Sequence, residues 1–250
     1  MKKTLFAVAL LASSSAFAMD VSNPFYVPMK GDFLSETSYT YNNWEHSKEE
    51  TAVLAETLSY GITRNFSING TVGTDWLYDE WGKPDFIHGH DRYDNPFWGV
   101  GLKYNLIDCC KTNWKVQFGA NYDQGGWDHH QKAISGYAKA GYQLGRFLPY
   151  LTVTADKDVG RYEAKAWIAT RAALNTVLTK KTNLDLGLTY DWDSATHGMG
   201  THMSAWTADA ALNYVFSDCM SAGLTGEYLM RTKPWDEDAF SVGVNFKVAF

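Results

Sequence analysis

The segment AFSVGVNFKVAF, residues 239–250, alternates apolar residues with small or polar ones along its whole length. Its apolar positions are Phe240, Val242, Val244, Phe246, Val248 and Phe250. A period of two predicts a β-strand with one apolar face and one polar face. The apolar face carries an aromatic side chain, Phe250, at the last residue.

The start of the sequence predicts export. Residues 1–18, MKKTLFAVALLASSSAFA, combine two lysines, a short apolar run and an A-x-A cleavage pattern, as a secretory signal peptide does. The apolar run is shorter than the roughly 20 residues of a transmembrane helix. We expect cleavage before Met19, no lipid anchor, and a short leader with prolines at residues 19–31 on the periplasmic side.

Composition excludes one class of partner and leaves two fold classes open. The formal net charge of −6 argues against nucleic acid as a partner. Aromatic residues make up 15% of the chain, although the mean hydropathy is only −0.31. This combination suits strands with one face in lipid and one in water, and it also suits a large soluble β-sandwich.

The alternating pattern recurs in about twelve segments. They cover residues 32–42, 51–62, 66–78, 96–107, 113–124, 131–144, 147–156, 161–178, 183–193, 203–216, 220–231 and 238–250. Short connections alternate with longer polar ones, which is typical of outer-membrane barrels with periplasmic turns and extracellular loops. Only helices and closed barrels satisfy every backbone hydrogen bond in lipid. We therefore predict an all-β fold: a transmembrane antiparallel up-and-down β-barrel of about 12 strands over residues 32–250.

Two residues interrupt the pattern. Glu56 lies on the apolar face of its segment, beside Leu54 and Leu58, and predicts a β-bulge or a one-residue change of phase there. Pro149 lies near the start of residues 147–156 and is tolerated only at a strand end or an edge-like position.

The signal peptide, the alternating strands and the terminal Phe250 together resemble the outer-membrane β-barrel proteins of Gram-negative bacteria. The resemblance implies a location in the outer membrane, in contact with its lipid and lipopolysaccharide. It also implies that the barrel-assembly machinery reads the alternate residues from Phe240 to Phe250 as an assembly signal. The alternative is that Phe250 only ends an amphipathic strand.

A porin-like barrel would be a narrow channel for small hydrophilic solutes or ions, without a catalytic residue or a cofactor. Rings of fixed charge set selectivity in such pores. The candidate pore-lining residues are Lys103, Lys165, Arg171, Asp185, Asp209 and Glu227. The same charges could instead pair across the lumen and plug it. A closed barrel would then serve as a structural, adhesive or recognition platform through its loops, chiefly residues 79–95 and 193–203.

Metal and enzyme sites are weaker hypotheses. The metal-ligand candidates are His88, His90, Asp91, Asp128, His129 and His130, but their spacing fixes no coordination geometry. The pairs Asp191 with Asp193 and Asp128 with His130 resemble the Asp-x-Asp and Asp-x-His pairs of omptin proteases, in the opposite chain order and on twelve strands rather than ten. A serine hydrolase is disfavoured because no histidine lies within a predicted strand.

The cysteines leave disulfide pairing open. Cys109, Cys110 and Cys219 all fall in predicted periplasmic turns, and an odd count in an oxidising compartment leaves at least one thiol over. The two turns lie on nearly opposite sides of a twelve-stranded ring. A disulfide to Cys219 is therefore not expected.

Overall fold

The structure is a computed structural model. It describes residues 21–44, 50–78, 95–107, 112–125, 132–159, 166–193, 204–233 and 238–250. The predicted signal peptide, the histidine-rich loops, and the turn with Cys109 and Cys110 lie outside these ranges. No helix in the described ranges is long and apolar enough to cross a bilayer.

Twelve antiparallel strands form one closed barrel, as the alternation predicted. They are β1 (Phe33–Trp44), β2 (Glu50–Gly61), β3 (Phe66–Tyr78), β4 (Asn95–Asn105), β5 (Trp114–Gly125), β6 (Lys132–Tyr142), β7 (Phe147–Asp158), β8 (Ala166–Thr179), β9 (Thr182–Asp193), β10 (Ser204–Ser217), β11 (Met220–Lys233) and β12 (Asp238–Ala249). Each strand pairs with its neighbours in sequence, and β1 pairs with β12. Closure leaves no unpaired strand edge.

The first and last strands are joined tightly. Phe33 and Phe250 exchange backbone hydrogen bonds, and their rings stack with centroids 5.7 Å apart. On the outer face of β12, Phe240, Val242, Val244 and Phe246 are all exposed, whereas Val248 is buried. The apolar face of residues 239–250 therefore faces outward, as its pattern predicts, and Phe250 takes part in closing the barrel.

Aromatic side chains form two belts on the outer wall. One belt, at the end with the short turns, includes the pairs Trp114–Tyr142 and Phe33–Tyr60. The other includes the pairs Trp98–Tyr122 and Tyr190–Trp206 at the opposite end. Between them the wall exposes mainly Leu, Val and Ile side chains. This is the surface of a transmembrane barrel, with amphipathic rings at the two interfaces. We call the two ends the turn end and the loop end.

Pro149 fits its predicted position. It is the third residue of β7, and the ladder between β6 and β7 ends one residue away, at the pair Gly141 and Tyr150. The missing N–H therefore falls where the ladder to β6 stops.

The predicted bulge at Glu56 is wrong. The ladders from β2 to β1 and to β3 run past Glu56 without a shift, and Glu56 pairs with Thr37 and Val72. Its carboxylate stays on the outer wall, where the hydroxyls of Ser35 (2.6 Å) and Thr37 donate hydrogen bonds to it. These two donors supply hydrogen bonds that lipid cannot, so the strand keeps its register.

We expect Glu56→Gln to raise the free energy of unfolding by about 1 kcal/mol, because a charge at mid-membrane on the lipid face is unfavourable. The amide keeps one acceptor oxygen for a neighbouring hydroxyl, and its NH2 group can donate to the oxygen of the other. Urea titration of the refolded barrel in liposomes measures this. The matched control is Glu50→Gln, on the same face at the rim of β2, which should change stability little. An equal effect of both substitutions would contradict the argument from membrane depth.

Candidate functional site

The chain's own leader lies inside the barrel at the turn end. Residues 21–29 lie across the lumen, and Val21, Phe25 and Val27 are buried there. Val21 packs against Leu34 and Ala249. Phe25 packs against Leu148 and Tyr150, with its ring edge-on to that of Tyr150. The leader thus packs apolar side chains against apolar residues of the inner wall and contacts strands on both sides of the barrel.

Polar side chains of the inner wall hold the leader by its main-chain carbonyls. Asn105 and Gln117 both donate to the Phe25 carbonyl, at 3.2 and 3.3 Å. Lys139 donates to the Pro24 carbonyl at 3.0 Å, and Asn183 donates to the Ser22 carbonyl at 3.3 Å. All four donors lie near the turn ends of β4, β5, β6 and β9. The lumen therefore recognises the leader largely through its backbone.

Further contacts orient these donors. Gln117 donates to Asn105 Oδ1 at 2.9 Å and accepts from the Tyr137 hydroxyl at 3.0 Å. The ring of Tyr137 lies over Gly119, where a Cβ would come within 2.2 Å of it. The ammonium of Lys139 lies between 5.4 and 5.7 Å from the ring centroids of Phe25, Tyr137 and Tyr150. Aromatic faces stabilise a cation at this range.

The leader's own sequence shapes its path. The Asn23 side chain accepts from the Phe25 N–H at 2.9 Å, which makes a local turn around Pro24. Where the leader ends and the chain enters β1, the Gly31 N–H donates to the Gly61 carbonyl at 2.8 Å. A Cβ on Gly61 would lie 1.8 Å from the Met29 carbonyl oxygen, so only glycine permits this approach. Burial and the nearby Asp32 raise the pKa of Tyr26 well above its usual range.

A second polar cluster lies on the inner wall around Arg171. The guanidinium donates to Asp209, to Asp185 and to the Tyr150 hydroxyl. Tyr150 in turn donates to Asp185 at 2.9 Å, and Asn175 donates to the same carboxylate at 3.2 Å. One cation therefore bridges two carboxylates across β8, β9 and β10.

Glycine makes room for this cluster. A Cβ at Gly187 would lie 2.4 Å from Asp209 Oδ1 and 2.5 Å from Arg171 Nε. The side chains therefore lie along the wall, over Gly187, rather than pointing across the lumen.

Five of the six candidate pore-lining residues fall on the inner wall. Arg171, Asp185 and Asp209 are brought together in one cluster, and Glu227 pairs in register with Asp209. Lys103 lies apart from them on β4. The sixth candidate, Lys165, lies outside the described residues. Lys139 also lies on the inner wall, as the alternation predicts, but its contact with the Pro24 carbonyl of the leader was not predicted.

The candidate metal ligands and most of the protease-like pairs cannot be placed. His88, His90, Asp91, Asp128, His129 and His130 all lie outside the described residues. Asp191 lies on the inner wall of β9 near the loop end. Within the described ranges, no three His, Cys, Asp or Glu side chains form a group that could hold a metal ion.

Comparison with known proteins gives a family and a fold. A family model described as a protein of unknown function, DUF481, matches residues 36–216. None of the curated proteins that were compared matches the sequence.

Solved structures with the same fold are outer-membrane barrels. The COG4313 outer membrane channel from Pseudomonas putida F1 aligns with a TM-score of 0.65 and 11% identity, covering 91% of this chain and 98% of its own. The NanC porin aligns with a TM-score of 0.57 and 10% identity, covering 84% of this chain and 98% of its own. The translocator domain of the autotransporter NalP from Neisseria meningitidis aligns with a TM-score of 0.53 and 12% identity, covering 100% of this chain and 94% of its own. At such identities the likeness concerns the fold alone, which serves both porins and a translocator.

Proposed function

The chain belongs to the DUF481 family of proteins of unknown function, and we propose that it is an outer-membrane channel for small hydrophilic solutes or ions whose turn end is narrowed by its own leader. In this proposal the turn end faces the periplasm and the loops face the outside. The mechanism is passive diffusion, so no residue performs chemistry.

One observation carries the proposal: charged side chains face the lumen and remain solvent-exposed beyond the leader. Asp123 on β5 and Glu227 on β11 are both on the inner wall, and both are exposed. A barrel of 12 strands is wider than the eight-stranded barrels that side chains can fill. A hydrated upper lumen lined by fixed charge is the structure that ion-selective diffusion requires.

The second candidate function is a closed barrel that acts through its loops. The observation that favours it is the leader, which buries inner-wall side chains such as Gln117, with 2% of its surface exposed. In that case the lumen would be closed at the turn end and open only at the loop end.

Planar-bilayer recording of the refolded mature chain tests the channel. We expect steady unitary currents, and in a potassium chloride gradient Glu227→Gln should shift the reversal potential toward anion preference because it removes an exposed lumen carboxylate. Glu50→Gln, a carboxylate outside the lumen, is the matched control and should leave that potential unchanged. Silence from a correctly folded chain, both with and without its leader, would overturn the channel and favour the closed barrel.

A further inference from the structure

Three polar side chains form a row across adjacent strands of the inner wall. Asn105 on β4 pairs in register with Gln117 on β5, which pairs in register with Lys139 on β6. The amides of Asn105 and Gln117 donate to the Phe25 carbonyl at 3.2 and 3.3 Å. The ammonium of Lys139 donates to the Pro24 carbonyl at 3.0 Å. Neighbouring donors therefore bind both carbonyls of one leader residue, Phe25: its own and the acyl carbonyl on its nitrogen.

The ring of Phe25 lies in an apolar cleft next to this row. Phe25 is only 4% exposed, and it packs against Leu148, Tyr150 and Ala173. Its ring meets that of Tyr150 edge-on, with centroids 5.8 Å apart, in an arrangement that aromatic pairs prefer. A Cβ at Gly141 would lie 2.8 Å from that of Tyr150, so glycine there lets the wall of the cleft form. The cleft thus fits a flat aromatic side chain.

Contacts within the wall hold the row and the cleft in place. The Tyr137 hydroxyl donates to Gln117 Oε1 at 3.0 Å, and Gln117 donates to Asn105 Oδ1 at 2.9 Å. Because both amide oxygens are engaged, both NH2 groups are turned toward the lumen. The Tyr150 hydroxyl donates to Asp185 at 2.9 Å. These contacts do not involve the leader, so the row and the cleft remain when the leader leaves.

We propose that the row and the cleft form a binding site for an N-acylated aromatic amino acid with a free carboxylate, which binds in place of Phe25. Its ring enters the cleft, and its acyl carbonyl accepts from Lys139. Its carboxylate accepts from Asn105 and Gln117, and hydrogen bonds to a carboxylate are stronger than those to the leader carbonyl that it replaces. The site rests on the proposed function, because it names a solute class for the channel.

Calorimetric titration of the refolded chain of residues 19–250 in detergent micelles tests the site, with N-acetyl-L-phenylalanine as the probe. The leader competes with the probe. Phe25→Ala removes the competing ring and should tighten binding about tenfold or more, because the empty cleft is then the major state. N-acetyl-L-alanine lacks the ring and should bind more weakly than the probe. Equal binding of the two compounds would overturn the site.

Substitution of glutamine tests the row. In the Phe25→Ala chain, Gln117→Leu should weaken binding of the probe about tenfold, because it removes a donor to the carboxylate. Gln143→Leu is the matched control, since Gln143 donates to the Gly145 carbonyl at 2.7 Å in the turn between β6 and β7. It should leave binding unchanged.

Two results would contradict this site: no saturable binding of the probe by the Phe25→Ala chain, or an equal loss in the two glutamine variants. Heat-modifiable gel mobility verifies the fold of each variant. If Gln117→Leu fails to fold, the tightening by Phe25→Ala still tests the proposal.

The same group occurs in small acylamino acids and at the C-terminus of a peptide. N-acetylated Ser-Asn-Pro-Phe, the sequence of residues 22–25, separates these sources. Tighter binding of this peptide than of N-acetyl-L-phenylalanine assigns the site to peptide ends, and weaker or equal binding assigns it to small acylamino acids.

The titration needs no current through the barrel. Binding of the probe by a barrel that stays silent would remove the channel and keep the site. Conduction without binding would remove the site and keep the channel.

Discussion

A chain of residues 30–250 is expected to conduct with a unitary conductance at least about threefold above that of a chain of residues 19–250. The leader lies across the lumen at the turn end and buries the inner wall around Gln117. Because an up-and-down barrel closes through its own ladders, here including β1 with β12, the strands do not need the leader to pair. Single-channel recording of the two refolded chains measures the difference.

The energetics of the leader favour a displaceable plug. Its three buried apolar side chains contribute about 2 kcal/mol each. Its hydrogen bonds to the wall contribute about 1 kcal/mol each, for Asn105, Gln117, Lys139 and Asn183. Ordering residues 21–29 costs about 1 to 1.5 kcal/mol per residue. The two sides nearly balance, so small changes at the contacts should shift the leader's occupancy of the lumen.

Point substitutions separate displacement of the leader from its removal. Lys139→Met removes the donor to the Pro24 carbonyl, and Gly61→Ala places a Cβ against the Met29 carbonyl oxygen. Both should raise the mean current through an otherwise intact chain. Lys181→Met, in an exposed turn, should not. If the truncated chain folds and conducts no more than the full chain, the leader does not limit the channel.

Much of the fold was predictable because a barrel repeats one simple rule. Lipid outside and water inside impose a period of two on every strand, and the sequence from 239 to 250 displays that period without interruption. The strand positions and the closed topology follow from it. The exception, Glu56, was misread because periodicity cannot foresee that Ser35 and Thr37 on the neighbouring strand supply its hydrogen bonds.

The interior was only partly predictable. Alternation identified Arg171, Asp185 and Asp209 as lumen residues, but their contact depends on the registers of β8, β9 and β10 and on the absence of a side chain at Gly187. The location of the leader has no periodic signal at all. Residues 21–29 carry no strand or helix pattern, and their place in the lumen is set by contacts distant in sequence, such as that between Ser22 and Asn183.

Replacing Arg171 by methionine should destabilise the barrel by about 3 kcal/mol, because it leaves two carboxylates close together on the inner wall without their shared cation. The side chains of Asp185 and Asp209 are only 10% and 14% exposed, so water compensates them poorly. Urea titration of the refolded barrel in liposomes gives the free energy of unfolding.

The triple variant Arg171→Met, Asp185→Asn and Asp209→Asn distinguishes loss of the cation from loss of packing. It removes both uncompensated charges while keeping similar volumes, so we expect it to recover most of the stability that Arg171→Met loses. If the triple variant is as unstable as the single one, the contribution of Arg171 is its packing over Gly187 rather than its charge. If neither variant is destabilised, the cluster forms without stabilising the barrel, and its charges are available to the lumen.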